Sequence, residues 1–224
     1  MAAQMHRFSV TIAHHFYFRR YRSLFQCTNE IVTRYRTIGG LTHRYQVYKL
    51  IELQRILEEH QPERILELGA GTTTALLAIY VKQSKHRALT TIDESDKWLE
   101  QAKKLAGIVD FDKQFQMIST DAVADIKIPA VRYAKVPIEA YDLVLIDGPS
   151  LRIDGNQRKD AINDNIFDLI EQFPPQTIVV DGRFSTVTAI EKHYNKFYQA
   201  LPSQVRRSIL PLNYRYFSIF DKTQ

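Results

Sequence analysis

The sequence predicts an α/β fold, a doubly wound and mostly parallel sheet of seven strands that ends in an antiparallel hairpin. Short, almost wholly apolar segments alternate with stretches of helical periodicity along the chain. Strands this apolar are typical of a parallel sheet covered on both faces. Near the C-terminus two apolar segments flank Pro211-Leu212-Asn213, which favours an antiparallel pair at the sheet edge.

The predicted strands and helices follow each other in β-α units. The five parallel strands are expected at residues 64–68, 88–92, 115–119, 141–146 and 177–180, and the antiparallel pair at 205–210 and 214–220. Helices are expected at residues 45–60, 75–81, 95–106, 157–173 and 185–200. The apolar spacing and the glycines and prolines that interrupt it set these bounds.

Length and composition limit the classes of protein to consider. With 224 residues and 45% hydrophobic residues, the chain can bury one sizeable core. Its single cysteine, Cys27, excludes an internal disulfide and fits a reducing compartment, so we expect a cytoplasmic protein. The sequence contains neither an apolar run of membrane-spanning length nor the pattern of a secretion signal.

Positive charge is concentrated at the N-terminus. The first 50 residues contain eight arginines and lysines against one acid, Glu30, although the whole chain has a net charge of only +5. We therefore divide the chain into a basic, aromatic-rich extension, residues 1–43, and an α/β domain, residues 44–224. Within the extension, residues 6–22 interleave aromatic and basic side chains, which leaves open a peripheral membrane contact, a nucleic-acid contact or simple packing on the domain.

Acidic residues stand at the predicted carboxyl ends of successive strands. Ligands of open α/β sheets bind beyond these ends, close to the point where the strand order reverses. Packing of the core does not require such a pattern, so we expect a ligand site there. The acids are Glu67, Asp93, Asp121, Asp147 and Asp181.

The turn after the first strand, residues 67–71, has the composition of a ligand-binding turn. Gly69 and Gly71 remove side chains where the backbone must turn sharply and approach a ligand. Residues 65–72, Ile-Leu-Glu-Leu-Gly-Ala-Gly-Thr, resemble the first motif of class I S-adenosylmethionine-dependent methyltransferases. The resemblance continues through residues 91–93, 120–122 and 141–149 and covers roughly residues 64–182.

This resemblance implies a Rossmann-like fold, S-adenosylmethionine as cofactor and transfer of a methyl group, with the small-molecule O-methyltransferases as the most similar branch. It further implies that Glu67 receives the ammonium group of the cofactor and that the glycine turn holds its methionine part. Asp93 would accept the ribose hydroxyls, and Asp121 the adenine amino group. The implied cofactor-binding residues are Glu67, Gly69, Ala70, Gly71, Asp93, Ser119, Asp121 and Ala122.

A nicotinamide or flavin site is the main competing interpretation of the glycine turn. That fingerprint calls for a third glycine where this chain has Thr74, and it needs phosphate contacts at the start of the helix. An acid at position 67 would repel phosphate. Both features favour S-adenosylmethionine.

The acceptor side is predicted around Asp147, which follows the fourth strand and precedes Gly148-Pro149. Resemblance makes Asp147 the candidate catalytic base for a hydroxyl acceptor. In metal-assisted members of the family, aspartates after the fourth and fifth strands hold a divalent cation. Asp147 and Asp181 match those positions, but Gly182 replaces the usual asparagine ligand, so a metal is not favoured although two carboxylates could hold Mg²⁺.

We therefore expect methyl transfer to a hydroxyl of a small-molecule or glycan-like acceptor. Two alternatives stay open. The basic extension keeps an RNA methyltransferase in view, although the Asp-Gly-Pro at 147–149 differs from the signature of enzymes that methylate base amino groups. A non-catalytic protein that retains the fold is the other alternative, against which the intact acids and glycines speak.

Overall fold

A computed structural model gives the fold of most of the chain. It describes residues 19, 21–40, 42, 46–107, 114–125, 130–150, 152–153, 156–157, 161–201 and 216–223. The helices are α1 (Arg22–Thr37), α2 (Gln46–His60), α3 (Thr72–Val81), α4 (Asp96–Ala106), α5 (Asn165–Gln172) and α6 (Phe184–His193). The strands are β1 (Arg64–Leu68), β2 (Ala88–Asp93), β3 (Phe115–Ser119), β4 (Ala122–Asp125), β5 (Ala130–Tyr133), β6 (Leu143–Ile146), β7 (Arg152–Ile153), β8 (Asn156–Gln157), β9 (Ile162–Asn163), β10 (Thr177–Asp181), β11 (Tyr198–Leu201) and β12 (Phe217–Lys222).

Seven strands form the main sheet in the order β11-β12-β10-β6-β1-β2-β3. Within this sheet β3, β2, β1, β6 and β10 run parallel to one another, whereas β12 is antiparallel to both β10 and β11. The predicted fold class is confirmed. The strand order reverses between β1 and β6, which is where an open α/β sheet binds its ligand.

Two apolar layers cover the sheet because successive side chains of each strand point to opposite faces. Ile65 of β1 packs with helices α1 to α4, while Leu66 packs with α5 and α6. Strand β6 alternates in the same way. Its four residues are all completely buried, as the uniform apolar pattern predicts for a central parallel strand.

Helix α5 begins later than predicted. The sequence pattern favoured a helix from residue 157, but the described part of that segment contains β8 and β9, and α5 begins at Asn165. The buried amide of Asn165 accepts from the backbone N–H of Tyr133 at 2.7 Å and donates to its carbonyl at 3.0 Å. The side chain of Asn165 thus forms the two hydrogen bonds to β5 that a neighbouring strand would form, and this fixes the start of α5.

The antiparallel pair near the C-terminus also differs from the prediction, because another segment pairs with the last strand. The helix expected at 185–200 ends at His193, and Tyr198–Leu201 forms strand β11 against β12. Tyr198 is buried and its hydroxyl donates to the carbonyl of Pro175 at 2.8 Å, a tertiary contact that helical periodicity does not reveal. The strand expected at residues 205–210 lies outside the described residues.

Helix α1, in the basic extension, packs on the domain. Ile31, Val32 and Tyr35 belong to the same buried cluster as α2 and α3, while Arg34 and Arg36 are exposed. The aromatic and basic segment at 6–22 lies outside the described residues except for positions 19, 21 and 22. No helix in the described part of the chain is long and apolar enough to cross a bilayer.

Candidate functional site

A cavity of about 310 Å³ opens beyond the carboxyl ends of β1, β2 and β6. Its walls combine the glycine turn after β1 with acids from the ends of the neighbouring strands and side chains from α1 and α2. The lining residues are Tyr35, Gln46, Lys49, Gly69, Ala70, Gly71, Thr72, Asp93, Glu94, Trp98, Tyr133, Asp147, Gly148 and Ser150. Five of the predicted site residues therefore meet in one place: Gly69, Ala70, Gly71, Asp93 and Asp147.

Gly69 allows the ends of β1 and β6 to touch. Its φ of +108° lies in a region that side chains with a Cβ rarely adopt. A Cβ at this position would stand 2.5 Å from the backbone nitrogen of Gly148. The contact brings the glycine turn against the Asp147-Gly148 segment and so places both on one wall of the cavity.

Gly71 has a different role because it faces open space. Its backbone is extended, with φ of −179°, and no atom lies within 4 Å of where a Cβ would stand. Its N–H donates to Thr74 Oγ1 at 2.9 Å, a hydrogen bond that caps the first turn of α3. Thr74, which stands where a dinucleotide site has its third glycine, thus helps to cap the helix. The space above Gly71 is free for a ligand.

Glu67 lies beneath the turn and is completely buried. Its carboxylate accepts from Thr73 Oγ1 at 2.5 Å and from Thr91 Oγ1 at 2.9 Å. Burial raises the pKa of Glu67 to about 7, although these hydroxyls oppose the rise. The side chain joins β1, β2 and α3 below the cavity and is not among the described residues that line it, so the expected direct contact with a cofactor ammonium group stays a prediction.

Asp93 lines the cavity and supports the turn at the same time. One oxygen accepts from the Ala70 N–H at 2.7 Å and the other from the Ser95 N–H at 2.8 Å. Burial raises the pKa of Asp93 to about 6 despite these two bonds. Each carboxylate oxygen can accept a further bond, so Asp93 can still receive hydroxyl groups from a ligand.

Three predicted residues lie outside this cavity. Ser119, Asp121 and Ala122 are exposed on the segment that links β3 to β4. The segment adjoins the cavity through the N–H of Thr120, which donates to the backbone carbonyl of Asp93 at 3.2 Å. The structure brings them to the edge of the site but not into contact with the glycine turn.

Asp147 forms part of an ion-pair network. The ammonium group of Lys49 lies 3.0 Å from Asp147 Oδ2 and also pairs with Asp181 Oδ2. Burial would raise the pKa of Asp147, but Lys49 lowers it below its usual range. The pKa of Asp181 rises to about 7, through burial first and then through the charge of Asp147.

Two buried side chains hold the backbone around Asp147. Arg183, which is 4% exposed, donates to the carbonyl of Asp147 at 3.1 Å and to that of Pro149. Asn163 donates to the carbonyl of Gly148 at 2.8 Å. The peptide bond between Gly148 and Pro149 is cis. These contacts come from β9 and from the residue that precedes α6, so these two elements together hold the Asp147 turn.

The sequence prediction missed side chains that the two N-terminal helices contribute. Lys49 and Gln46 are one helical turn apart on α2, and Gln46 donates to Thr72 Oγ1 at 2.7 Å. Tyr35 of α1 is 3% exposed and lines the cavity. A signal was present: Lys49 interrupts the apolar spacing of α2, and Tyr35 follows Ile31 by four residues on the buried face of α1.

The fold is similar to several solved structures. A protein from Klebsiella pneumoniae described as an O-methyltransferase superposes with a TM-score of 0.60 at 14% identity, covering 98% of this chain and 100% of that one. An O-methyltransferase from Bacillus cereus in complex with SAH gives 0.53 at 14% identity, covering 88% and 90%. Cofactor-bound Rv0187 from MTB gives 0.51 at 16% identity, covering 86% and 88%.

The chain thus has a doubly wound α/β sheet with its cavity at the switch point of the strand order. More narrowly, it has the fold of the class I S-adenosylmethionine-dependent methyltransferases. Neither a protein-family model nor a curated protein matches its sequence.

Proposed function

We propose that this protein transfers a methyl group from S-adenosylmethionine to a hydroxyl of a small-molecule or glycan-like acceptor. The observation that carries the proposal is the cavity at the switch point, where a glycine turn open to ligand meets Asp93 and Asp147. Structures with the same fold and bound SAH or cofactor support it. The O-methyltransferases among them support a hydroxyl acceptor.

The charge of the cavity favours this cofactor over a dinucleotide. Among its described lining residues, three acids, Asp93, Glu94 and Asp147, stand against one cation, Lys49. S-adenosylmethionine carries a sulfonium and an ammonium charge and no phosphate. A pyrophosphate would lie next to these carboxylates and be repelled.

Each part of the cofactor has a candidate partner. We assign the methionine part to the backbone of Gly69, Ala70 and Gly71, where the space above Gly71 is open. We assign the ribose hydroxyls to Asp93, which lines the cavity and has free acceptor capacity. The adenine ring would lie towards Ser119, Asp121 and Ala122, at the exposed end of β3.

The proposed reaction is an in-line displacement, so alignment of acceptor oxygen, methyl and sulfur provides much of the rate. The bond from sulfur to methyl breaks as the bond from oxygen to methyl forms, and the hydroxyl proton leaves to a base. Asp147 is our candidate base. Lys49 keeps this carboxylate ionised at neutral pH, and 38% of its side chain is exposed, which makes it accessible to an acceptor.

A transfer assay with S-adenosylmethionine labelled at its methyl group tests the proposal. Folded protein is incubated with small-molecule and RNA fractions of a cell extract, and the label is followed. We expect label in the small-molecule fraction. Label in the RNA fraction alone would support the RNA alternative, and absence of both label and cofactor binding would support the non-catalytic one.

The substitution Asp147→Asn tests the role of the base. We expect cofactor affinity to stay the same and turnover to fall by about 100-fold or more, the size typical of general-base catalysis. Asp96→Asn, an exposed aspartate in the first turn of α4, is the matched control and should keep full turnover. Equal turnover of Asp147→Asn and wild type would remove Asp147 from this role.

A further inference from the structure

The ammonium group of Lys49 lies between two carboxylates at the carboxyl ends of neighbouring parallel strands. It is 3.0 Å from Asp147, which follows β6, and it pairs with Asp181 at the end of β10. Only 12% of the Lys49 side chain is exposed. The ring of Phe217 packs near it, with its centroid 5.6 Å from the ammonium nitrogen, so protein atoms surround the cation on several sides.

Two carboxylates that share one ammonium partner are stabilised by the positive charge between them. A hard divalent cation such as Mg²⁺ takes carboxylate oxygens as its ligands, and Asp147 with Asp181 would be such a donor pair. In this protein Lys49 supplies the charge instead. It reaches the pair from α2, an element that precedes the sheet in the chain.

The surroundings of the pair do not complete a metal site. The residue after Asp181 is Gly182, which has no side chain and no atom within 4 Å of where a Cβ would stand. In the described part of the chain, no group of three or more histidine, cysteine, aspartate or glutamate side chains is placed to hold a metal ion. The donor set present therefore fits an ammonium group better than a divalent ion.

We propose that Lys49 is the built-in cation of the acceptor site, which fixes Asp147 and Asp181 and keeps divalent metal ions from binding between them. The term acceptor site rests on the proposed function, whereas the exclusion of metal ions does not. Lys49 thereby acts as a positioning residue for Asp147.

Binding of Mn²⁺, followed by electron paramagnetic resonance at pH 7.5 on the full chain, tests this inference. Wild type and Lys192→Ala, an exposed lysine of α6, should bind no Mn²⁺ at this pair. Lys49→Met keeps an unbranched side chain that is one atom shorter, and it removes the charge. We expect it to bind Mn²⁺ with an affinity at least about tenfold above the detection limit that wild type does not reach, because two carboxylates are then free to coordinate the ion.

The double variant Lys49→Met with Asp181→Asn should lose the Mn²⁺ binding again. A folded Lys49→Met protein that binds Mn²⁺ no better than wild type would overturn the inference. The inference would also be overturned if wild type bound Mn²⁺ and Asp181→Asn weakened that binding. This second comparison does not depend on whether Lys49→Met folds. Calorimetry with SAH is carried out separately, so failure of the methyltransferase proposal would be seen there and not in the Mn²⁺ result.

Discussion

At the scale of single residues, Gly69 and Gly71 of the turn have different roles. Gly69 has a positive φ and touches Gly148, whereas Gly71 is extended and faces open space. The sequence predicted that both would serve ligand binding. It could not separate them, because the difference comes from the approach of β6, a strand far along the chain.

Gly69→Ala is expected to destabilise the fold. A Cβ there combines backbone strain with a collision against Gly148, which together should lower the free energy of unfolding by about 2 kcal/mol or more. Gly182→Ala is the matched control, since Gly182 has a φ of +65° but open space around it. Denaturant unfolding measures both, and equal losses would show that the close contact with Gly148 contributes nothing.

Glu67 should make stability depend on pH. Its pKa rises from an ordinary 4.5 to about 7 in the folded protein, so between these values the folded state holds a proton that the unfolded state releases. Stability from this group is therefore full below pH 4.5 and is lost as the pH rises through 7. Between the two limits the loss amounts to about 3 kcal/mol.

Glu67→Gln keeps the shape of the side chain and removes this titration. Denaturant unfolding at pH 5 and pH 8 should show that wild type loses more stability than the variant on going to the higher pH. Glu59→Gln, at an exposed position of α2, should behave like wild type. A pH dependence unchanged in Glu67→Gln would contradict the assignment of a buried, proton-holding Glu67.

At the scale of elements, helices and strands with a regular apolar pattern were predicted well. The bounds of β1 and β3 agree with the prediction, and β2 and α2 differ from it by one residue. Errors occurred where a tertiary contact sets the boundary. Asn165 delays the start of α5 by its bonds to Tyr133, and Tyr198 leads the chain into a strand after α6.

Asn165→Ala is predicted to weaken the junction of α5 and β5. It leaves the backbone N–H and carbonyl of Tyr133 without their amide partner in a buried place, at a cost of about 2 to 4 kcal/mol in the free energy of unfolding. Asn195→Ala, in an exposed turn, should change stability by less than about 0.5 kcal/mol. Similar unfolding midpoints for the two variants would refute the role given to Asn165.

At the scale of the whole molecule, the site could be predicted in part. The acids and glycines that follow parallel strands must meet at one edge of the sheet, and Gly69, Gly71, Asp93 and Asp147 do line one cavity. The contribution of α1 and α2 could not be predicted in this way. Helix α1 docks through Ile31, Val32 and Tyr35, and α2 docks through its own buried residues such as Val47, Leu50 and Ile51. The docking of α2 brings Lys49 to Asp147 and Asp181.

The central claim is that this cavity binds S-adenosylmethionine through the open glycine turn. Calorimetric titration of the folded protein with SAH, the product of the cofactor, tests it most directly. Wild type should bind SAH at one site and should not bind NAD. Gly71→Ala should unfold like wild type but bind SAH at least about tenfold more weakly, because its methyl group enters the ligand space. Failure of folded wild type to bind SAH, or equal affinity in Gly71→Ala, would contradict the claim.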